Sequence, residues 1–200
     1  DKLGLKRAQE REIPRVLLHC ASVEPSYNPY YGVLAAKLCG GHAFRKTLQF
    51  MFWDLVKEFE STGEDRSDNE DFGGFDDDET ESEDGKLHRV MNLGRLFGYL
   101  IGDGCLALNI LRTINFVTVR GDMLLFVEIL LVTFLDTAIK KSKSNKSNKK
   151  DAEKYDSKII AQAITKAQEQ PVLLKGIKYF VGKKLKSSGF ITGKKQKARV

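Results

Sequence analysis

Apolar side chains return every three or four positions over most of this 200-residue chain, the spacing that gathers them on one face of an α-helix. From Leu3 to Ala21 the stripe is Ile13, Val16, Leu17 and Cys20. Pro14 marks a first turn or a kink near Glu12, and the helix ends before Pro25. Asn28-Pro29 opens the next helix. The Asn28 side chain caps free backbone N–H groups, and Pro29 suits the first helical position, where its missing N–H would have no partner. Tyr30, Tyr31, Leu34 and Leu38 form its apolar stripe, and Gly40-Gly41 is expected to close it with a left-handed cap. A third helix is predicted over His42 to Phe59, with Phe44, Leu48, Phe52, Leu55 and Phe59 in register. Met51 and Trp53 widen this apolar face, so it must be covered from more than one side.

The pattern then stops. Glu60 to Lys86 consists largely of Asp, Glu, Ser and Gly, which cannot bury enough surface to offset ordering entropy, so a disordered insert is expected. Helical spacing resumes from Leu87 to Ile101. Gly94, Gly98 and Gly102 recur every fourth residue there, a stripe that lets a neighbouring helix come close. A phosphate loop is the alternative, but the strand–loop–helix context is missing. Gly104 breaks the chain before a short helix, Leu106 to Asn115, and a longer one, Gly121 to Ala138. Lys140 to Lys150 holds six lysines among Ser and Asn and reads as a flexible linker. Ala152 to Gln170 follows as a helix with Ile159, Ile160, Ala163 and Ala167 inward. Pro171 starts the last one, through Lys183.

These elements predict an all-α fold of stacked antiparallel helix pairs with a basic C-terminal extension. Residues 1–139 form the helical domain, with the acidic insert at about 60–86; 140–151 form the linker, and 152–200 the C-terminal helices and basic tail. The expected core includes Leu17, Tyr30, Tyr31, Leu34, Phe52, Trp53, Leu96 and Phe97. No repeat of fixed period is visible, so the stacking rests on the helical pattern alone.

Charge changes the picture. The formal net charge is +6, but Glu58 to Asp84 contains 14 acids and one base, Arg66. That run is read as a solvated, self-repelling insert, and it lacks the spacing of a calcium loop. Ser61, Ser67, Thr80 and Ser82 each precede acids closely and suit an acid-directed kinase. Lys175 to Val200 has no acid against nine Lys or Arg. Lys175, Lys178, Lys183, Lys184, Lys186, Lys194, Lys195, Lys197 and Arg199 are therefore the candidate RNA contacts, since lysines neutralise phosphates and release counterions. A solubilising or nuclear-import tail is the alternative. Tyr179 and Phe180 are read as packing the last helix into the core, with stacking on unpaired bases as the other possibility.

No catalytic, cofactor-binding or metal-binding set is found. His19, His42 and His88 have no metal-ligand spacing to Cys or Asp. His19 and Cys20 are adjacent on a helix, so they point about 100° apart and are read as a peripheral His beside a core Cys. The chain has no Walker loop, Rossmann fingerprint or nucleophile elbow. Three cysteines with no CxxC fit reduced thiols in the cytosol or nucleus. Met123 to Leu135 is too short to span a bilayer and contains Glu128, so no membrane partner is expected. The chain starts at Asp1 and is read as part of a longer protein.

Three stretches resemble MA-3 domains: REIPRVLLHCASVEPSYNPYYGVLAAKLC from Arg11 to Cys39, FRKTLQFMFWDLV from Phe44 to Val56, and LGRLFG from Leu93 to Gly98. The Tyr-Asn-Pro-Tyr-Tyr run with its preceding Glu24 is the most specific of these; the rest is periodicity that many helical repeats share. The resemblance extends over roughly Leu3 to Leu135 and implies stacked antiparallel helix pairs with no activity of their own. Such domains bind partner proteins, often DEAD-box RNA helicases. QPVLLKGIKYFVGKKLKSSGF, from Gln170 to Phe190, points within the family to a ribosome-biogenesis branch rather than a splicing one. That branch implies a nuclear, nucleolar scaffold for small-subunit precursor assembly and rRNA maturation, with pre-ribosomal RNA and ribosome assembly factors as partners. Helicase binding would lie mainly in a middle-of-4G domain upstream. A helicase adaptor in translation initiation or splicing is the alternative. Two departures stand out. The match begins at what reads as the family's second helix, so one helix of the first pair is expected to be missing, and the acidic insert exceeds a compact MA-3 loop. No helicase-contact residues can be carried over.

Overall fold

A computed structural model describes residues 11–61, 82–144 and 158–187. In chain order the α-helices are α1 (Glu12–Val23), α2 (Pro29–Leu38), α3 (His42–Ser61), α4 (Glu83–Gly102), α5 (Gly121–Ser144), α6 (Lys158–Lys166) and α7 (Pro171–Lys183). Two 3-10 segments, Leu108–Thr113 and Leu185–Ser187, complete the described secondary structure, which contains no strand. The all-α class therefore holds.

α3 and α4 form an antiparallel hairpin: Phe52 meets Phe97 with ring centroids 5.0 Å apart, and Glu58 pairs with Arg89 at the other end. α4 and α5, the most extensive interface among the described residues, instead run parallel. The glycine stripe gives the register. A Cβ on Gly94 would lie 3.2 Å from the Phe126 carbonyl oxygen, one on Gly98 2.5 Å from that of Leu130, and one on Gly102 2.9 Å from that of Phe134. Both helices advance together, so the chain must return alongside them between Asp103 and Arg120. The 3-10 segment Leu108–Thr113 occupies this return, where a short helix was expected over Leu106 to Asn115. Trp53 Nε1 donates to the Ile110 carbonyl at 2.9 Å and ties the return to α3.

The core is a seam of rings and aliphatics on α3, α4 and α5. Phe52, Phe97, Phe126, Leu96, Leu100 and Leu130 are fully buried, and Phe126 stands between Phe52 and Phe59 at 6.0 and 5.2 Å. Leu17 is buried as well, whereas Tyr31, Leu34 and Trp53 are half-buried. Tyr30 departs from expectation, being 63% exposed. α2 buries Gly32 and Ala35 instead, because Tyr27 and Tyr99 close over Gly32 so tightly that a Cβ there would lie 3.0 Å from each. That close docking turns Tyr30 outward, edge-on to Tyr31. α1 is rotated likewise. It buries Pro14, Leu17, Leu18, Ala21 and Ser22, and leaves Val16 61% exposed. Pro14 sits in the first turn, where its absent N–H is harmless.

Element ends follow local chemistry. Asn28 Oδ1 accepts from the Tyr30 N–H at 3.0 Å, with Pro29 at the first helical position, as the sequence predicts. Gly40 and Gly41 form no left-handed cap; among the described glycines, positive φ occurs at Gly104 and Gly121. Tight backbone bonds from Gly40 to Lys37 and from Gly41 to Leu38 carry α2 directly into α3. α4 starts at Glu83 rather than Leu87. Ser82 Oγ accepts from the Gly85 N–H at 3.1 Å, and Glu83 and Asp84 face the positive helix end. The last acids of the run are thus helical; positions 62–81, where the disordered insert was expected, lie outside the described residues. α5 also overruns the expected linker, reaching Ser144. Its Lys141 Nζ donates to Asp103 Oδ1 at 2.8 Å, bridging the C-terminal ends of both parallel helices. The rest of the expected linker, 145–151, and the first residues of the helix predicted from Ala152, 152–157, lie outside the described residues.

Candidate nucleic-acid interface

α7 is the element on which the basic sequence acquires geometry. Pro171 occupies its first position, and Leu173 and Phe180 are buried. The Phe180 ring meets Phe116 edge-on, with centroids 5.9 Å apart. Gly176 lies against the Phe116 ring; a Cβ there would come within 2.8 Å of it. One side of α7 is thereby clamped to the return segment ahead of α5. Leu185 is buried in the following 3-10 turn, which holds the C-terminal end down.

The opposite side carries Val172, Lys175, Lys178, Tyr179 and Lys183, all exposed, and Lys186 follows in the 3-10 turn. Val172 is 82% and Tyr179 41% exposed. Tyr179 therefore does not pack the helix into the core as predicted, although Phe180 does. The signal was present in the spacing: Leu173, Ile177 and Phe180 share one face, and Tyr179 sits about 100° from Phe180, four residues after Lys175. No carboxylate pairs with Lys175, Lys178 or Lys186 among the described residues. Lys184 is used differently from the sequence prediction. It is half-buried, and its Nζ donates to the Val119 carbonyl at 3.0 Å, stapling the end of α7 to the return segment. Lys194, Lys195, Lys197 and Arg199 lie outside the described residues.

The face is thus a short ladder of ammonium groups around an accessible phenol, on a helix braced from behind. Lysines supply sequence-independent attraction to phosphates, and an exposed aromatic offers a surface for a base or sugar.

The remaining titratable groups show a structural logic. His19 is exposed and Cys20 half-buried. The neighbouring Cys39 thiol, burial and the Asp103 carboxylate push the Cys105 thiol up, so it stays protonated. Asn92, nearly inaccessible, donates from Nδ2 to the Glu24 carbonyl at 2.8 Å. Glu24 Oε1 in turn accepts from the Tyr31 hydroxyl at 3.0 Å. Glu24, Tyr27 and Tyr31 of the motif thus anchor the α1–α2 corner onto α4, with Arg95 5.9 Å over the Tyr27 ring. The described residues contain no cluster able to hold a metal ion, and no described helix is long and apolar enough to cross a membrane.

An antiparallel α3–α4 pair and a parallel α4–α5 pair around one closed apolar seam define a stacked all-helical domain. The MA3 domain profile matches residues 1–107, and the chain belongs to the MA3 family. Suppressor of glycerol defect protein 1 of Saccharomyces cerevisiae is 34% identical over 207 aligned positions, covering 98% of this chain and 22% of that protein. The Schizosaccharomyces pombe protein of the same name is 35% identical over 68% of this chain and 15% of its own length. Nucleolar MIF4G domain-containing protein 1 of Mus musculus is 26% identical over 90% of this chain and 17% of its own. The chain thus spans about a fifth of the length of the curated relatives it matches. The family match ends at Ala107, whereas the yeast similarity continues through α5, α6 and α7.

Proposed function

We propose that this chain is a non-enzymatic scaffold domain in nucleolar small-subunit precursor assembly and rRNA maturation. It docks on assembly factors and pre-ribosomal RNA, and cooperates with a DEAD-box RNA helicase that binds mainly elsewhere in the longer protein. The observation that carries the RNA part is the outward face of α7, where Lys175, Lys178 and Lys186 have no acidic partner among the described residues and flank exposed Tyr179. The nucleolar setting is supported by the name of the mouse relative, whose similarity covers 90% of this chain.

Copurification of the full-length protein from nuclei tests the reading. Early small-subunit precursor rRNA and its assembly factors are expected. Recovery of translation-initiation or spliceosomal factors in their place would identify a helicase adaptor of another pathway.

A further inference from the structure

A second charged surface lies away from α7. The N-terminal half of α3, the turn after α4, the 3-10 segment Leu108–Thr113 and α6 surround a cavity of about 510 Å³. Its floor is apolar, with Ile101, Leu106 and Phe134 contributing. Arg45 and Lys46 stand exposed at its edge, and no ion pair engages them among the described residues. The carboxylate at the wall, Asp103, is already held by Lys141 at 2.8 Å and by the Cys105 thiol at 3.1 Å. The opening therefore presents uncompensated positive charge over an apolar floor.

Two further observations adjoin this opening. Phe50 lies four residues after Lys46 on the same side of α3 and is 56% exposed. It packs edge-on to Trp53, whose ring is overlaid by Arg112 at 4.8 Å. An aromatic pair with a stacked arginine is the composition of a protein-binding hot spot. Asn109 also lines the cavity, and its Oδ1 is buried with no hydrogen-bond partner. The acceptor is a polar demand that the chain alone leaves unmet.

We propose that this groove docks an acidic segment of a partner protein, with carboxylates on Arg45 and Lys46, an apolar side chain against Phe50, and a backbone N–H on Asn109. Charge complementarity favours an anion, and the apolar floor favours a peptide over a nucleic-acid strand. Arg112 and the Ile110 carbonyl already occupy one face and the N–H of Trp53, leaving little of that ring for a base. The inference deepens the scaffold reading and rests on it, by assigning the protein-docking role to α3 and the RNA-docking role to α7.

Fluorescence anisotropy of the full chain with a short synthetic peptide of alternating aspartate and phenylalanine, and separately with an oligouridylate, tests this assignment. Saturable, salt-sensitive peptide binding is expected, weakened at least about tenfold by Arg45→Glu with Lys46→Glu. Asn109→Leu should weaken peptide binding while leaving Tm unchanged or raised, because it removes an unpartnered acceptor. Lys175→Glu with Lys178→Glu should spare the peptide and weaken the oligouridylate; failure of that RNA effect alone would count against α7, not against the groove. Peptide binding that is absent, or indifferent to Arg45, Lys46 and Asn109, would overturn the proposal. So would loss of oligouridylate binding, rather than peptide binding, in the Arg45 and Lys46 variant.

Discussion

The glycine side of α4 and the lysine side of α7 are each one stripe along a single helix, and they serve opposite ends. On α4 the stripe removes side chains, so that the α5 backbone comes close enough to touch. On α7 the stripe carries long side chains and a phenol outward, away from Phe116 and the core. A stripe of absent side chains tolerates almost no addition, because its neighbours include backbone carbonyls that cannot rotate away. A stripe of flexible cations tolerates most changes in shape and few changes in charge. Structural and binding variants should therefore separate cleanly along the chain.

Gly98→Ala tests the closed side most severely. Alanine improves helix propensity by about 1 kcal/mol over glycine. Against that gain, the new Cβ would sit 2.5 Å from the Leu130 carbonyl oxygen and 2.8 Å from Thr133 Cβ. Overpacking of about 1–3 kcal/mol or more should win, since backbone must shift. Urea denaturation followed by circular dichroism should show a net loss of stability; a gain would mean that α4 and α5 do not meet at this glycine. Trp53→Ala comes next. A fully buried aromatic costs about 3–5 kcal/mol on truncation, but Trp53 is half-buried, so the loss should fall below that range while still including the bond to Ile110. A loss at or above the full range would show that the ring is covered in solution.

On the open side, Lys175→Gln with Lys178→Gln should leave the unfolding free energy within about 0.5 kcal/mol of the parent. Each phosphate contact removed should lower the slope of log affinity against log salt by about 0.7 for single-stranded RNA. An unchanged slope would place the RNA contact elsewhere. The charge-neutral change is preferable to reversal here, because it removes attraction without adding repulsion.

How far the sequence disclosed this arrangement depended on how local the cause was. The Asn28-Pro29 start was legible because capping needs only neighbours, and so was the start of α7 at Pro171. The Gly94–Gly98–Gly102 stripe announced a close helix neighbour, but not that α5 would run parallel; direction depends on the return between Asp103 and Arg120, which spacing does not encode. Tyr30 misled because large aromatics are usually buried, whereas α2 docks through its smallest residues, Gly32 and Ala35. Of the candidate site, the lysines were legible by composition. The exposure of Tyr179 followed from helical phase, which was readable but outweighed by its apolar neighbour Phe180. The diversion of Lys184 to the Val119 carbonyl was not readable, since it depends on how the return segment folds. The groove at Arg45, Lys46 and Asn109 left no local signal, because three separate elements assemble it.

The α1–α2 corner offers the finest test of the closed region, through pH. Burial, reinforced by Tyr99 and partly offset by Arg95, pushes the Tyr27 phenol from its ordinary 10.0 up to about 12. Unfolded Tyr27 would lose its proton near pH 10, while the folded protein would keep it until about pH 12. Between those values the unfolded state binds fewer protons, so folding stability should be intact below pH 10 and fall as pH rises towards 12. Tyr99, raised chiefly by burial, and Tyr31, raised chiefly by its bond to Glu24, add to the same alkaline decline. Tyr27→Phe should therefore make the decline shallower without abolishing it, and should leave stability near neutral pH almost unchanged. Urea midpoints measured across that range for parent and variant give the comparison. Coincident curves would mean that Tyr27 is as solvated in the folded chain as in the unfolded one, and that the corner does not close over Gly32.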